Sequence, residues 1–229
     1  MPSAASPSER GERLHKVVDV DLGANVLGAN LRIADDNHVR LKSKGIKSFD
    51  FVGSIGSGKT LIIEKMIEAL KANGKRVGCI AGDVAGDDDY RRFVNRGATA
   101  ENVNTGKECH LDAHMVDHAL EHLKLEELDI LFIENVGNLV CPGDFPLGTD
   151  KRVVVISVTE GDDMVRKHPL IFTIADLIVI NKIDLAGAVE VDPQVLVSDA
   201  KNLNSRAPVI LTDAKHGVGM DELKQALGI

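Results

Sequence analysis

Apolar and polar positions divide the chain into alternating strand-like and helix-like segments. SFDFV (48–52) is a compact apolar run, and a glycine-rich turn separates it from TLIIEKMIEALKANG, whose apolar positions recur at helical spacing and which ends at Gly74. RVGCIAGD (76–83) reads as a second strand. A polar helix over about 88–95 leads through Gly97 to a short strand near Val103. The next segment predicts a helix from about Gly106 to Leu123, because Thr105-Gly106-Lys107-Glu108 fits a reciprocal Ser/Thr-x-x-Glu cap. Buried-strand runs follow at LDILFIEN (128–135), RVVVISVT (152–159), DLIVIN (176–181) and PVILT (208–212). Ahead of all these, Leu27, Leu31, Ala34 and Leu41 recur at roughly helical spacing between Val26 and Lys44, with Gly45 as a natural stop. They predict an N-terminal helix packed on the rest. Short apolar runs alternating with helices indicate an α/β fold, a mostly parallel sheet covered by helices on both faces. The expected organisation is an unstructured polar start (1–13) plus helix over 1–45, and one domain over 46–229.

Composition narrows the function. Of 229 residues 44% are hydrophobic but only 3% aromatic, so a full core is available and should be aliphatic. A formal net charge of −8 argues against a broad nucleic-acid surface, which needs clustered Lys and Arg. No apolar run approaches the roughly 20 residues of a membrane span, and the polar start MPSAASPSERGERLHK lacks a signal-peptide core. A cytoplasmic protein is expected. Its three cysteines, Cys79, Cys109 and Cys141, would there remain thiols.

Gly53-Ser54-Ile55-Gly56-Ser57-Gly58-Lys59-Thr60 matches the full G-x-x-x-x-G-K-[ST] pattern between a predicted strand and a predicted helix, which makes the α/β fold a P-loop NTPase. Backbone N–H groups of Gly53, Ser54, Gly56, Ser57 and Gly58 can converge on phosphates at the positive end of the following helix. Lys59 is expected to project outward to the β- and γ-phosphates, and the Thr60 hydroxyl to bind Mg²⁺. Asp83 closes IAGD and Glu134 closes LFIEN, both at strand carboxyl ends, where acids can hold Mg²⁺. Gly137 keeps the spacing to the γ-phosphate. Lys59, Thr60, Asp83 and Glu134 are the expected catalytic group.

Asn181-Lys182-Ile183-Asp184 follows an apolar strand and resembles the guanine-specificity motif N-K-x-D of GTPases. One carboxylate, Asp184, can accept from both N1–H and the exocyclic amine of guanine, a pair that adenine does not offer. Lys182 would lie along the base and Asn181 would brace the loop. Asp213-Ala214-Lys215 stands where GTPases carry a Ser-Ala-Lys loop, with Asp replacing Ser, so Ala214 and Lys215 are candidate base contacts. The ligand is therefore GTP or GDP.

A second constellation is soft. Cys109 and His110 fall in the first turn of the helix predicted from Gly106, where the helix N-terminus would favour a thiolate, and Cys141 lies seven residues beyond Glu134. Two thiolates and an imidazole suit Ni²⁺ or Zn²⁺ and suit Mg²⁺ poorly. His110, His114, His118 and His122 recur every four residues, which on a helix gives one stripe spanning about 120°. His114 and His118 could chelate a second metal; His122 reads as a solvated polar position. Cys79, mid-strand, reads as core. One chain supplies too few ligands for a closed tetrahedral site, so either water completes it or a two-fold axis brings the same ligands from a second chain; the symmetric dimer is the expectation.

The P-loop, E-N-V-G, N-K-I-D, T-G-K-E-C-H-L-D-A-H and E-N-V-G-N-L-V-C-P together resemble the HypB family of hydrogenase nickel-incorporation proteins, from about Leu27 to the C-terminus. The resemblance implies a metal-dependent GTPase that dimerises and helps deliver Ni²⁺ to nickel–iron hydrogenase, with a HypA-type chaperone and the hydrogenase large subunit as partners. It assigns Cys109, His110 and Cys141 to the metal site at the dimer interface. Some members carry an N-terminal cysteine-rich nickel motif, but no Cys precedes Cys79 here. Hydrolysis is expected to be slow, with no dedicated general base. The rivals are the urease-type UreG GTPases, whose Cys-Pro-His motif is here split between Cys109-His110 and Cys141-Pro142, a P-loop kinase, and a metal-storage protein.

Overall fold

The computed structural model describes residues 7–229, with side chains from Asn25 onward. The unstructured start expected over 1–13 lies outside the described residues as far as residue 6; helix α1 then runs Pro7–Ser43, longer at its N-terminal end than periodicity indicates. The remaining elements are β1 Lys47–Gly53, α2 Lys59–Ala72, β2 Val77–Asp83, α3 Asp88–Asn95, β3 Thr99–Asn104, α4 Ala113–His122, β4 Ile130–Glu134, β5 Lys151–Ser157, α5 Met164–Lys167, α6 Pro169–Thr173, β6 Leu177–Asn181, α7 Pro193–Leu203, β7 Val209–Leu211 and α8 Met220–Leu227.

All seven strands are parallel, in the order β3-β2-β4-β1-β5-β6-β7. β1 is central, and the chain works outward from it in both directions, so the crevice opens at its carboxyl end. Side chains alternate between faces as a strand requires. Phe49, Phe51, Phe132, Val153 and Val155 meet Ile62, Ile63, Met66 and Ile67 of α2 on one face. On the other, Leu131 and Ile133 join Leu41 of α1 and Val116 and Leu120 of α4, while Val154 and Ile156 join Phe172 and Leu196. The core is less purely aliphatic than composition suggests. Phe132 sits 5.7 Å from both Phe49 and Phe51, centroid to centroid, in the middle of the sheet. Cys79 is fully buried there, as expected of a core thiol.

α4 corrects the sequence reading. It starts at Asp112, whose Oδ1 accepts from Met115 N at 2.8 Å, and not near Gly106. Gly106 adopts φ +68°, which no helical residue can, and Thr105 Oγ1 donates to the Glu108 carbonyl rather than capping a helix. Residues 105–112 are therefore a loop, and it carries Cys109 and His110.

α1 fastens this loop. Asn30 Oδ1 accepts from Ala113 N at 2.8 Å and its Nδ2 donates to Pro146 O at 2.9 Å. The buried Asn37 amide donates to both Ala113 O and Leu147 O. One helix thus ties the start of α4 to the segment after Cys141. No helix among the described residues is long and apolar enough to cross a membrane.

Candidate functional site

The predicted phosphate residues surround a cleft of about 460 Å³ at the carboxyl edge of the sheet, within the size range of small-ligand sites. Gly56, Gly58, Lys59, Thr60, Asp83, Glu134, Gly137 and Lys182 line it. Gly58 has φ +102°, and a side chain there would run into the Asn181 amide, so only glycine fits. Ser54 and Ser57 leave their buried hydroxyl oxygens without partners.

Lys59 differs from expectation. It is 5% exposed and does not project outward; its Nζ donates to the carbonyls of Gly53 at 3.2 Å and Ser54 at 3.1 Å. Burial pushes its pKa down, opposed chiefly by the charge of Glu134. An anion in the loop would give the ammonium better acceptors than two neutral carbonyls.

Thr60 Oγ1 donates to Glu134 Oε1 at 2.9 Å, while Glu134 Oε2 is buried and unpartnered. A hydroxyl and a carboxylate brought together with one oxygen orphaned is a donor set that fits Mg²⁺. Asp83, at the end of β2, lines the same wall but spends Oδ1 on Val84 N at 2.6 Å. Asp89 and Arg92 of α3 complete the wall. They were legible only as part of a polar helix, with no motif to single them out.

Burial drives the Glu134 carboxyl from an ordinary 4.5 up to about 7. A raised carboxyl contributes stability that is fully present below the unfolded value and is lost as pH rises through the folded one. Glu134→Gln should therefore leave the nucleotide-free protein's unfolding free energy nearly unchanged at pH 4 and raise it at pH 8 by about 1–2 kcal/mol. That is less than the full shift implies, because Lys59 loses its nearest counter-charge. Urea unfolding at the two pH values measures this; equal effects at both would show that the carboxyl is not perturbed.

The loop of the expected base motif is organised around Asn181. Its Nδ2 donates to Ser57 O at 2.9 Å, and its Oδ1 accepts from Thr212 Oγ1 at 3.0 Å and Ala214 N at 3.2 Å. One buried amide therefore locks the P-loop to both base-side segments. Lys182 takes a left-handed conformation, φ +61°, leaving Asp184 exposed beside Asp213 and His216. Ala214 is buried and Lys215 exposed. Asp213 folds this loop: its carboxylate accepts from His216 N at 3.1 Å and meets His216 Nδ1 at 2.5 Å. Burial alone would raise the Asp213 pKa, but the His216 hydrogen bonds hold it below the usual range.

The soft ligands converge. Cys109 Sγ lies 2.8 Å from Cys141 Sγ and 3.8 Å from His110 Nδ1, and one ligand atom from each residue lies within 4.8 Å of the others. Cys109 is exposed, Cys141 half-buried, and His110 is buried against Phe145 with ring centroids 4.1 Å apart. With no helix terminus beneath it, Cys109 is not activated as predicted. The hydrogen bond with Cys141, then burial, push its thiol up. His110 also leaves the predicted histidine stripe. His114, His118 and His122 remain on α4, around a separate hollow with Glu101 of β3; His118 and His122 pack edge to face at 4.8 Å.

Two comparisons decide the family. The family description "CobW/HypB/UreG, nucleotide-binding domain" matches residues 49–211. The chain is 55% identical over 210 residues to the probable hydrogenase maturation factor HypB of Methanocaldococcus jannaschii, covering 92% of this chain and 95% of that one. The chain belongs to the HypB family. Solved HypB structures share its shape: that from Archaeoglobus fulgidus superposes with a TM-score of 0.82 at 50% identity, over 88% of this chain and 98% of that one. HypB from Helicobacter pylori, solved in complex with nickel, also gives 0.82 at 34% identity, over 87% of this chain and 93% of that one. The HypB assignment sets aside the kinase reading and places the UreG type as a relative within the broader family.

Proposed function

We propose that this chain is a slow GTPase that binds nickel and assists its insertion into nickel–iron hydrogenase. The observation that carries the reading is the segment from Glu134 to Cys141. It begins at a carboxylate bonded to the P-loop threonine and ends at a thiol 2.8 Å from Cys109. Anything that moves Glu134 pulls on a nickel ligand.

Thr60 and Glu134, with Asp83 nearby, would hold Mg²⁺, which when bound neutralises phosphate charge. Lys59 exchanges its two carbonyl acceptors for phosphate oxygens and stabilises charge developing on them, as do the P-loop amides. No dedicated general base is assigned, and hydrolysis by the chain alone should be slow. Gly137 meets the γ-phosphate, and its loss on hydrolysis relaxes the strip carrying Cys141. Nickel is the cargo. Cys109, His110 and Cys141 supply three ligands, and the exposed side of Cys109 lets a second copy contribute its own, forming a two-fold dimer. Zn²⁺ suits the same donors. His114 and His118 are candidates for a second, weaker site. A HypA-type chaperone and the hydrogenase large subunit are the partners on either side of the transfer, in the cytoplasm, where the thiols stay reduced.

Phosphate release from GTP tests the enzymatic half. Lys59→Ala should retain the folded circular-dichroism spectrum and lose at least about a hundredfold in turnover, the scale of removing one charge-stabilising donor. Turnover equal to that of the parent chain would remove Lys59 from the mechanism.

A further inference from the structure

Beneath the thiol site lies a buried ion pair that the account above does not use. Asp50 of β1 and Arg152 of β5 are register partners in adjacent parallel strands, with side chains 1% and 10% exposed. Arg152 Nε donates to Asp50 Oδ2 at 3.0 Å, and the same guanidinium donates from Nη2 to the Phe145 carbonyl at 3.0 Å. Asp50 Oδ1 accepts from Asn135 Nδ2 at 3.3 Å. Asn135 in turn accepts, through Oδ1, from Leu111 N at 2.9 Å and from Val136 N at 3.0 Å.

The connections straddle His110. Leu111 is its chain neighbour, and Phe145 stacks on its ring. One branch therefore holds the loop bearing Cys109 and His110, and the other holds the segment just after Cys141. The two branches join at the Asp50–Arg152 pair, and the first passes through Asn135, the residue following Glu134 of the phosphate cleft. Burying two charges costs more than an apolar pair of similar volume, and these positions border a strand core of Val52, Val154 and Ile156 that would accept one. Burial of the pair is therefore weak evidence of a contribution to stability, and its connections to Asn135 and Phe145 are what set it apart.

Resting on the nickel-site reading above, we propose that Asp50 and Arg152 are positioning residues: they set the geometry of the Cys109–His110–Cys141 site for a soft divalent ion and carry the nucleotide state to it through Asn135. Neither touches metal or nucleotide.

Nickel titration of the full chain, read by thiolate-to-nickel charge-transfer absorption, tests this on two variants. Arg152→Lys keeps the ion pair but loses the fork that reaches Phe145. Asp50→Leu with Arg152→Met removes both charges together, which leaves no unpaired charge to unfold the protein. Both should bind labelled GDP within twofold of the parent chain. Both should bind Ni²⁺ at least tenfold more weakly, and their nickel affinities with GDP and with a non-hydrolysable GTP analogue should agree within twofold. A folded double variant with parental nickel affinity and charge-transfer spectrum would overturn the proposal. If the parent chain itself shows no nucleotide dependence, the coupling in the proposed function falls, while the nickel affinities of the variants still decide the positioning role.

Discussion

Asp184→Ala should bind GDP at least a hundredfold more weakly than the parent chain, while its affinity for ADP rises, since the carboxylate that adenine leaves unpaired is gone. Guanine presents N1–H and an exocyclic amine side by side, and one carboxylate can accept from both. Hydrogen bonds to a charged group contribute about 1.5–3 kcal/mol each, so losing two costs about 3 kcal/mol or more, over two decades in affinity. The geometry supports the assignment. Asp184 is exposed at the end of a loop that Asn181 ties to the P-loop at Ser57 O, so the two loops are held together. Adenine would leave the carboxylate desolvated and unpaired, which is why the parent chain should prefer GDP to ADP by a similar factor. Titration with fluorescent GDP and ADP measures both. Comparable affinities of the parent chain for the two nucleotides would remove the guanine assignment.

Cys141→Ala should weaken nickel binding at least a hundredfold while leaving GDP affinity within twofold. A soft site with two thiolates owes its selectivity to them, and alanine leaves one sulfur and one imidazole. Because the Cys109 thiol is held above its ordinary pKa by Cys141, nickel has to displace its proton. Nickel affinity should therefore rise with pH across the neutral range, and the bound metal should release protons measurable in weakly buffered solution. The substitution sits on the exposed-side loop after β4 and disturbs no core cluster, so a loss of nickel binding would report on ligation rather than folding. Isothermal titration in two buffers of different ionisation enthalpy gives both quantities.

Most strands were legible because they are short apolar runs, the inner ones buried on both faces; the polar, half-buried edge strand β3 was signalled only near Val103. The chemistry was legible where local spacing encodes it, in the P-loop, E-N-V-G and N-K-I-D segments. What was missed depends on groups distant in sequence. The α4 start was misplaced because Thr105 and Glu108 imitate a cap, whereas Asp112 and the reach of Asn135 to Leu111 N decide the real boundary. The Lys59 ammonium points inward because carbonyls of its own loop accept it. Asp50 and Arg152 stand 102 positions apart, and only the sheet register makes them neighbours. Asp89 and Arg92 face the cleft because α3 packs beside α2, which no local pattern announces.

The central claim is that nucleotide and nickel are linked through the strip from Glu134 to Cys141. The direct measurement is the Ni²⁺ dissociation constant of the parent chain with GDP bound and with a non-hydrolysable GTP analogue bound. The two values should differ by a factor of about 5–150, and nickel should change the ratio of affinities for the two nucleotides by the same factor, as linkage demands. Equal nickel affinities in the two nucleotide states would contradict the account and leave a phosphate site and a thiol site that merely share a loop.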